Sequence, residues 1–175
     1  MRRAPVGFRK SFSYTLGRTT TIPMGLIIRS SDIHAAGCYT TTLIKKGSMV
    51  IEYTGPLISK DEGDKRYEGR EYTYLFGMDD GRVIDGHGMA AFINHSCDPN
   101  CETDEIDGKL WIIALRDIQA GEELSYDYCL WDGEDDDPAP CFCGAKSCRG
   151  TMYSEEEVER LATSKKESQR EKVLA

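Results

Sequence analysis

Between residues 22 and 131 the chain places short β-branched and aromatic runs between polar turns, the lengths and alternation of strands. "GCYTTTL" (37–43) and "MVIEYTG" (49–55) are the first two. "YTYLFGM" (72–78), the turn "DDG" and "RVID" (82–85) form an expected hairpin, because Asp-Gly suits a tight reversal. "KLWIIAL" (109–115) is apolar throughout, and "EELSYDY" (122–128) alternates. The polar stretch 59–70 predicts one helical turn or a loop. The pattern is mostly β.

The ends differ. Residues 1–21 form a polar, basic arm, and 132–140, "DGEDDDPAP", an acidic linker. A cysteine-rich segment occupies 141–153. From 154 to 175 the spacing predicts a helix: Ser154 can cap it, Glu157 stands at the capping-box position, and the first turn is acidic. Its apolar stripe is short, so much of this helix is expected to be exposed.

Charge and cysteine usage narrow the chemistry. The net charge of -8 disfavours a nucleic-acid module, which needs a basic footprint, and is compatible with a basic protein or peptide partner. No apolar run reaches the ~20 residues of a membrane span, and no secretory core opens the chain, so a reducing cytoplasmic or nuclear compartment is expected. Seven cysteines in such a setting point to metal rather than disulfides. Cys141, Cys143 and Cys148 form C-x-C-x4-C, and a loop this tight can offer three thiolates to Zn²⁺, which takes four ligands. No histidine lies within or after the cluster. The candidate fourth ligand is Cys97, in "FINHSCDPNC" (92–101). The plainer reading is free thiols or adventitious disulfides. An iron–sulfur cluster lacks its usual C-x2-C spacing. Cys38, Cys101 and Cys129 are read as small buried residues.

"HAAGCYTTTLIKKGSMVIEYTG", "YTYLFGMDD", "FINHSCDPNC", "RDIQAGEELSYDY" and "CFCGAKSC" follow in the order found in SET-domain protein lysine methyltransferases, over residues 26–153. The last block resembles the post-SET zinc motif, and the likeness is to the trithorax-type branch and small microbial relatives. A nine-cysteine pre-SET cluster is absent. The resemblance implies a SET-domain fold, small β-sheets around a pseudoknot of "FINHSC" and "ELSYDY", with a SET domain at 22–131. It implies S-adenosyl-L-methionine as cofactor and one structural zinc ion. His34, Ala35 and Ala36 would meet the methionine end of the cofactor, Asn94 and His95 would hold it, and Trp131 and Phe142 would lie near its adenine. Tyr128 would be the catalytic tyrosine, Tyr74 a second, also beside the cofactor, and Tyr126 the position setting product multiplicity. The implied substrate is a basic protein, a histone tail being the family's usual one, with mono-methylation extending to di-methylation in the presence of an activating partner protein.

Two departures stand out. Relatives carry Gly-x-Gly where this chain has Ala35-Ala36-Gly37, and an Arg where it has Ala91. They favour the rival reading, a zinc-binding SET-like peptide scaffold with little turnover. The chemistry favours the enzyme. Methyl transfer to an amine needs that amine neutral, and a free lysine has a pKa of about 10.4. An apolar channel lowers that value, whereas a nearby carboxylate would hold the ammonium, so tyrosine hydroxyls fit the task. The bland alternatives are that Tyr74, Tyr126 and Tyr128 are strand residues, and that Asn94, His95 and His34 are turn or loop residues. For Trp131 the alternative is a plug over the core, and for Asp132–Asp137 a solvated linker rather than a docking rim for a basic tail.

Overall fold

A computed structural model describes residues 25–70, 72–131 and 138–174, with side chains to residue 164. The expected basic arm and the acidic run 132–137 lie outside the described residues. Three small sheets make up the body. Strands β1 (Leu26–Ser30) and β2 (Ala36–Thr40) form an antiparallel pair. Strands β4 (Leu57–Ser59), β5 (Leu75–Gly77) and β6 (Arg82–Asp85) form a second sheet, in the order β4-β6-β5.

The largest sheet runs β3-β9-β8-β10-β7: β3 (Met49–Glu52), β7 (Asn94–His95), β8 (Cys101–Ile106), β9 (Lys109–Ala114) and β10 (Ser125–Tyr126). The two-residue β10 lies between β7 and β8, which are neighbours in sequence. It pairs parallel with both, Ser125 opposite Asn94 and Tyr126 opposite both His95 and Cys101. Side chains fasten this crossing. Asn100 donates to the Glu123 carbonyl at 2.7 Å and accepts from the Ser125 N–H at 2.9 Å. Asn100 is 4% exposed, so these bonds satisfy an amide that would otherwise be costly to bury.

The apolar runs supply the core. Ile44, Val50, Ile93, Ile112, Ile118 and Leu124 are almost fully buried, each contributing about 1.5–3 kcal/mol of transfer free energy. Cys38 and Cys101 are buried with them, whereas Cys129 is only partly so. Strand β8 reads as polar, "CETDEI", and its identity comes from its partner: Asp107 and Gly108 take φ 53° and 72°, and the left-handed turn folds it onto apolar β9.

Residues 59–70 are more regular than one turn. Helix α1 (Lys60–Tyr67) starts where Ser59 accepts the Glu62 N–H at 3.2 Å, with acids in the first turn and bases in the last. Arg66 and Tyr67 both donate to the buried Asp85 carboxylate, at 2.9 and 2.7 Å, fixing α1 on β6. At the other end, helix α2 (Glu155–Leu174) starts as predicted, the Glu157 N–H donating to Ser154 Oγ at 3.1 Å. The Glu157 carboxylate pairs with Arg160.

Candidate functional site

A cavity of about 660 Å³ opens where the β1–β2 pair, the β7–β10 crossing and the segment 138–153 meet. Among the described residues, no Asp, Glu, Lys or Arg lines it. Its walls are aromatic and aliphatic side chains with Thr73, Asn94, Cys141 and two histidines, so an ammonium held among the tyrosines would lose hydration without gaining a contact anion.

Three tyrosines converge. Tyr128 donates its hydroxyl hydrogen to the Ile93 carbonyl at 2.9 Å, which leaves its oxygen lone pairs free. Tyr126 lies 4.8 Å from the Tyr128 ring and 6.1 Å from Phe76, 5% exposed. Its hydroxyl has no hydrogen-bond partner among the described residues. Burial, reinforced by neighbouring phenols, raises both tyrosines above their ordinary pKa. Both therefore stay protonated at neutral pH, orienting groups rather than bases. Tyr74 stands just before β5, 43% exposed at the mouth and 6.5 Å from Phe92. Its carbonyl accepts the hydroxyl of buried Tyr53 at 2.8 Å.

On the β1–β2 side, Ala35 takes φ 40°, a left-handed conformation that alanine adopts at a cost of about 1–2 kcal/mol. The loop still closes, the Ser31 N–H donating to the Ala35 carbonyl at 3.3 Å. His34 packs on Tyr72, ring centroids 4.9 Å apart, linking this loop to the segment bearing Tyr74. Asn94 Nδ2 reaches the Ala36 carbonyl at 3.0 Å.

The side built on 138–153 carries a thiol cluster. The Sγ atoms of Cys97, Cys141, Cys143 and Cys148 lie within 4.8 Å of one another. Cys97 is 3.7 Å from Cys141 and 4.0 Å from Cys148. Tetrahedral Zn²⁺ with bonds of about 2.3 Å separates its sulfurs by about 3.8 Å, so the set fits the ion. Backbone N–H groups of Arg149 and Gly150 point at Cys97 and Cys148 sulfurs, each at 3.4 Å, the environment a thiolate requires.

His95 joins the cluster to the tyrosines. The Tyr128 N–H donates to His95 Nδ1 at 3.0 Å, so Nε2 carries the proton and faces Cys97 Sγ at 3.4 Å. Burial lowers the His95 pKa to about 4, against the opposing pull of Asp127, so the ring is neutral. With Nδ1 committed, the 3.4 Å approach of Asp127 is no ion pair. Asp127 instead accepts both arms of Arg149, at 2.7 and 2.8 Å. Burial alone would raise this carboxyl, but Arg149 and the Cys129 N–H outweigh it and hold it below the usual range.

His34, Ala35, Ala36, Tyr74, Asn94, His95, Tyr126, Tyr128 and Phe142 therefore all line one cavity, with Cys141 at its edge. Trp131 does not reach it; the neighbouring Leu130 lines that wall, and Trp131 is 37% exposed. Reasoning from sequence missed the Asp127–Arg149 pair and Glu123. Each carries a local clue: Asp127 sits between two site tyrosines, and Arg149 follows a cluster cysteine.

The three small sheets, the inserted β10 and the thiol-bounded cavity agree with the comparison to known families. The SET-domain model matches residues 35–129, more than half of the chain, and the chain belongs to that family. It is 46% identical over 130 residues, 68% of its length, to the histone-lysine N-methyltransferase trithorax of Drosophila virilis, covering 3% of that protein. It is 42% identical over 137 residues (70% of the chain, 11% of the relative) to the H3 lysine-4 specific histone-lysine N-methyltransferase of Emericella nidulans. Against human histone-lysine N-methyltransferase 2B the identity is 45% over 130 residues, 68% of the chain and 5% of the relative. The chain thus spans a small part of the curated relatives it matches.

Proposed function

We propose that this chain is a protein-lysine N-methyltransferase that uses S-adenosylmethionine and one structural zinc ion. The observation that carries the reading is the uncharged tyrosine-lined cavity, bounded on one side by the crossing and on the other by the thiol cluster. Its volume and chemistry fit the cofactor: Asn94 Oδ1 is an acceptor on the wall with no partner among the described residues, Phe142 and Leu130 offer apolar surface, and the loop 34–36 offers backbone. Bound there, S-adenosylmethionine would supply an electrophilic methyl group carried on a sulfonium.

The chain's own residues do the rest. The tyrosine-lined walls exclude water and disfavour an ammonium, so a lysine side chain enters as the neutral amine, its proton left to solvent. Tyr128, its own hydrogen committed to Ile93, presents lone pairs to an amine N–H and so aims the nitrogen lone pair. Holding the amine in attack geometry supplies much of the rate enhancement. Tyr126 brings a free hydroxyl, which can hydrogen-bond the amine or hold a water where a methyl would otherwise go. Mono-methylation is the expected product, with di-methylation when a partner protein assists.

The relatives' printed names make a histone tail the first substrate to test, with a nuclear site of action. Transfer of a labelled methyl group to histones and to a lysate, followed by mass spectrometry, tests the reading. Methyl-lysine on a basic protein supports it. The scaffold reading draws on Ala35 and Ala91, but the loop closes around Ala35 despite its strained φ. Calorimetry showing stoichiometric zinc with no cofactor binding would favour the scaffold.

A further inference from the structure

We infer that Glu123 is the positioning residue of the cofactor site: it locks the Asn94 amide so that Oδ1 faces the cavity as an acceptor for a ligand's α-ammonium group. The inference rests on the proposed function for the identity of that ligand.

The orientation of Asn94 is fixed by what surrounds its nitrogen. Nδ2 lies 2.8 Å from Glu123 Oε1, 3.0 Å from the Ala36 carbonyl, 3.2 Å from Ser31 Oγ and 3.4 Å from the His34 carbonyl. A carboxylate and two carbonyls can only accept, so the NH₂ must point at them. Flipping the amide would set Oδ1 against the Glu123 carboxylate, an oxygen–oxygen clash of acceptors. The opposite atom, Oδ1, has no partner among the described residues, and Asn94 lines the cavity while being only 8% exposed.

Glu123 is held for this task. Ser31 Oγ donates to its two carboxylate oxygens at 2.8 and 3.0 Å, and Tyr39 donates at 2.7 Å. Its partners thus come from β2, β7 and the loop after β1. The carboxylate fills the space beside Gly37, where a Cβ would run into it, which gives Gly37 a steric reason. No Lys, Arg or His pairs with Glu123 among the described residues. Its charge is met only by dipoles, directly behind the residue that presents an acceptor to the cavity. A cation on the cavity side of Asn94 is favoured by both, through one intervening amide.

The test compares two neutral-sulfur ligands by calorimetry on the zinc-loaded chain. S-adenosylhomocysteine has the amino-acid end; 5′-methylthioadenosine has the same nucleoside and thioether without it. Glu123→Gln should weaken S-adenosylhomocysteine about tenfold and leave 5′-methylthioadenosine within about twofold. A parallel loss for both ligands means a structural role and overturns the inference. So does an unchanged affinity for both. If Glu123→Gln fails to fold, Asn94→Ala carries the same comparison, and equal losses there likewise overturn it. Wild-type chain that binds neither ligand would instead overturn the proposed function, a distinct result.

Discussion

The two walls of the cavity are held by different forces. The wall built on β7 and β10 rests on Ile93, Leu124 and Ile118, almost fully buried, and on strand pairing. The wall built on 138–153 has a small core of its own, buried Leu130, Ala139 and Tyr153 with Tyr128, Met152 and Leu161 packed against them. Two isolated bridges, Leu130 with Tyr153 and Pro140 with Thr151, add little. Ordering that many residues costs about 1–2 kcal/mol each in backbone entropy, more than so small a core offsets. With the zinc ion proposed above, the four thiols and the Asp127–Arg149 pair would make up the difference. On that reading the first wall is a product of folding and the second of metal binding.

The largest effect should come from breaking that distinction directly. Removing zinc with a chelator, or making Cys148→Ser, should abolish cofactor binding and lower methyl transfer by more than about 100-fold. Far-UV circular dichroism of the sheets should change little, and zinc should restore activity at one ion per chain. Chelation that leaves turnover intact would show that the second wall stands without its ion.

Tyr128→Phe addresses the first wall. It removes the hydroxyl bonded to Ile93 without touching the thiols. We expect about 100-fold loss in kcat with zinc content and cofactor affinity unchanged. If zinc content falls too, the walls are coupled more tightly than the His95 contacts alone imply. The pH profile sharpens the same point. Burial raises Tyr126 and Tyr128, so neither loses its proton below pH 9. The only titration then expected is the substrate amine, and kcat/KM should rise about tenfold per pH unit from 7 to 9.

The two walls were not equally legible in sequence. Apolar β3 and β9 announce themselves, and so does C-x-C-x4-C, because each signal sits within a short window. Polar β8 hid because its strand character lies in its neighbour, across Asp107-Gly108. The expected strands at 37–43 and 122–128 shrink to Ala36–Thr40 and Ser125–Tyr126; for the latter, pairing in the crossing is brief and side chains such as Asn100 replace the ladder. Tyr126, Tyr128 and Asn94 were found through motif resemblance; nothing local tells a cavity tyrosine from a core one. Glu123 stayed hidden because its partners lie 92, 84 and 29 residues away. Trp131 was placed near the adenine by resemblance alone; in the structure the neighbouring Leu130 lines that wall.

Tyr126→Phe should act more gently and inside the first wall alone. The hydroxyl it deletes has no hydrogen-bond partner among the described residues, so stability should hold. The room it vacates should shift products toward di- and tri-methyl-lysine by several-fold, read by mass spectrometry at matched turnover. An unchanged product ratio would place that hydroxyl away from the amine.

Ala35→Gly should have the smallest effect, and it tests whether the loop opposite the thiols is strained. Alanine at φ 40° costs about 1–2 kcal/mol, and glycine there relieves that strain. Glycine also frees the unfolded chain, returning about 0.5–1 kcal/mol of the gain. The net expectation is stabilisation of about 0.5 kcal/mol, seen as a small rise in the denaturant midpoint without a change in slope. Because the strained loop joins β1 to β2 and is bonded to Asn94 of β7, the rise should be equal in zinc-loaded and chelated protein. A rise confined to the loaded form would show that the thiol segment presses on this loop, and that one wall sets the shape of the other.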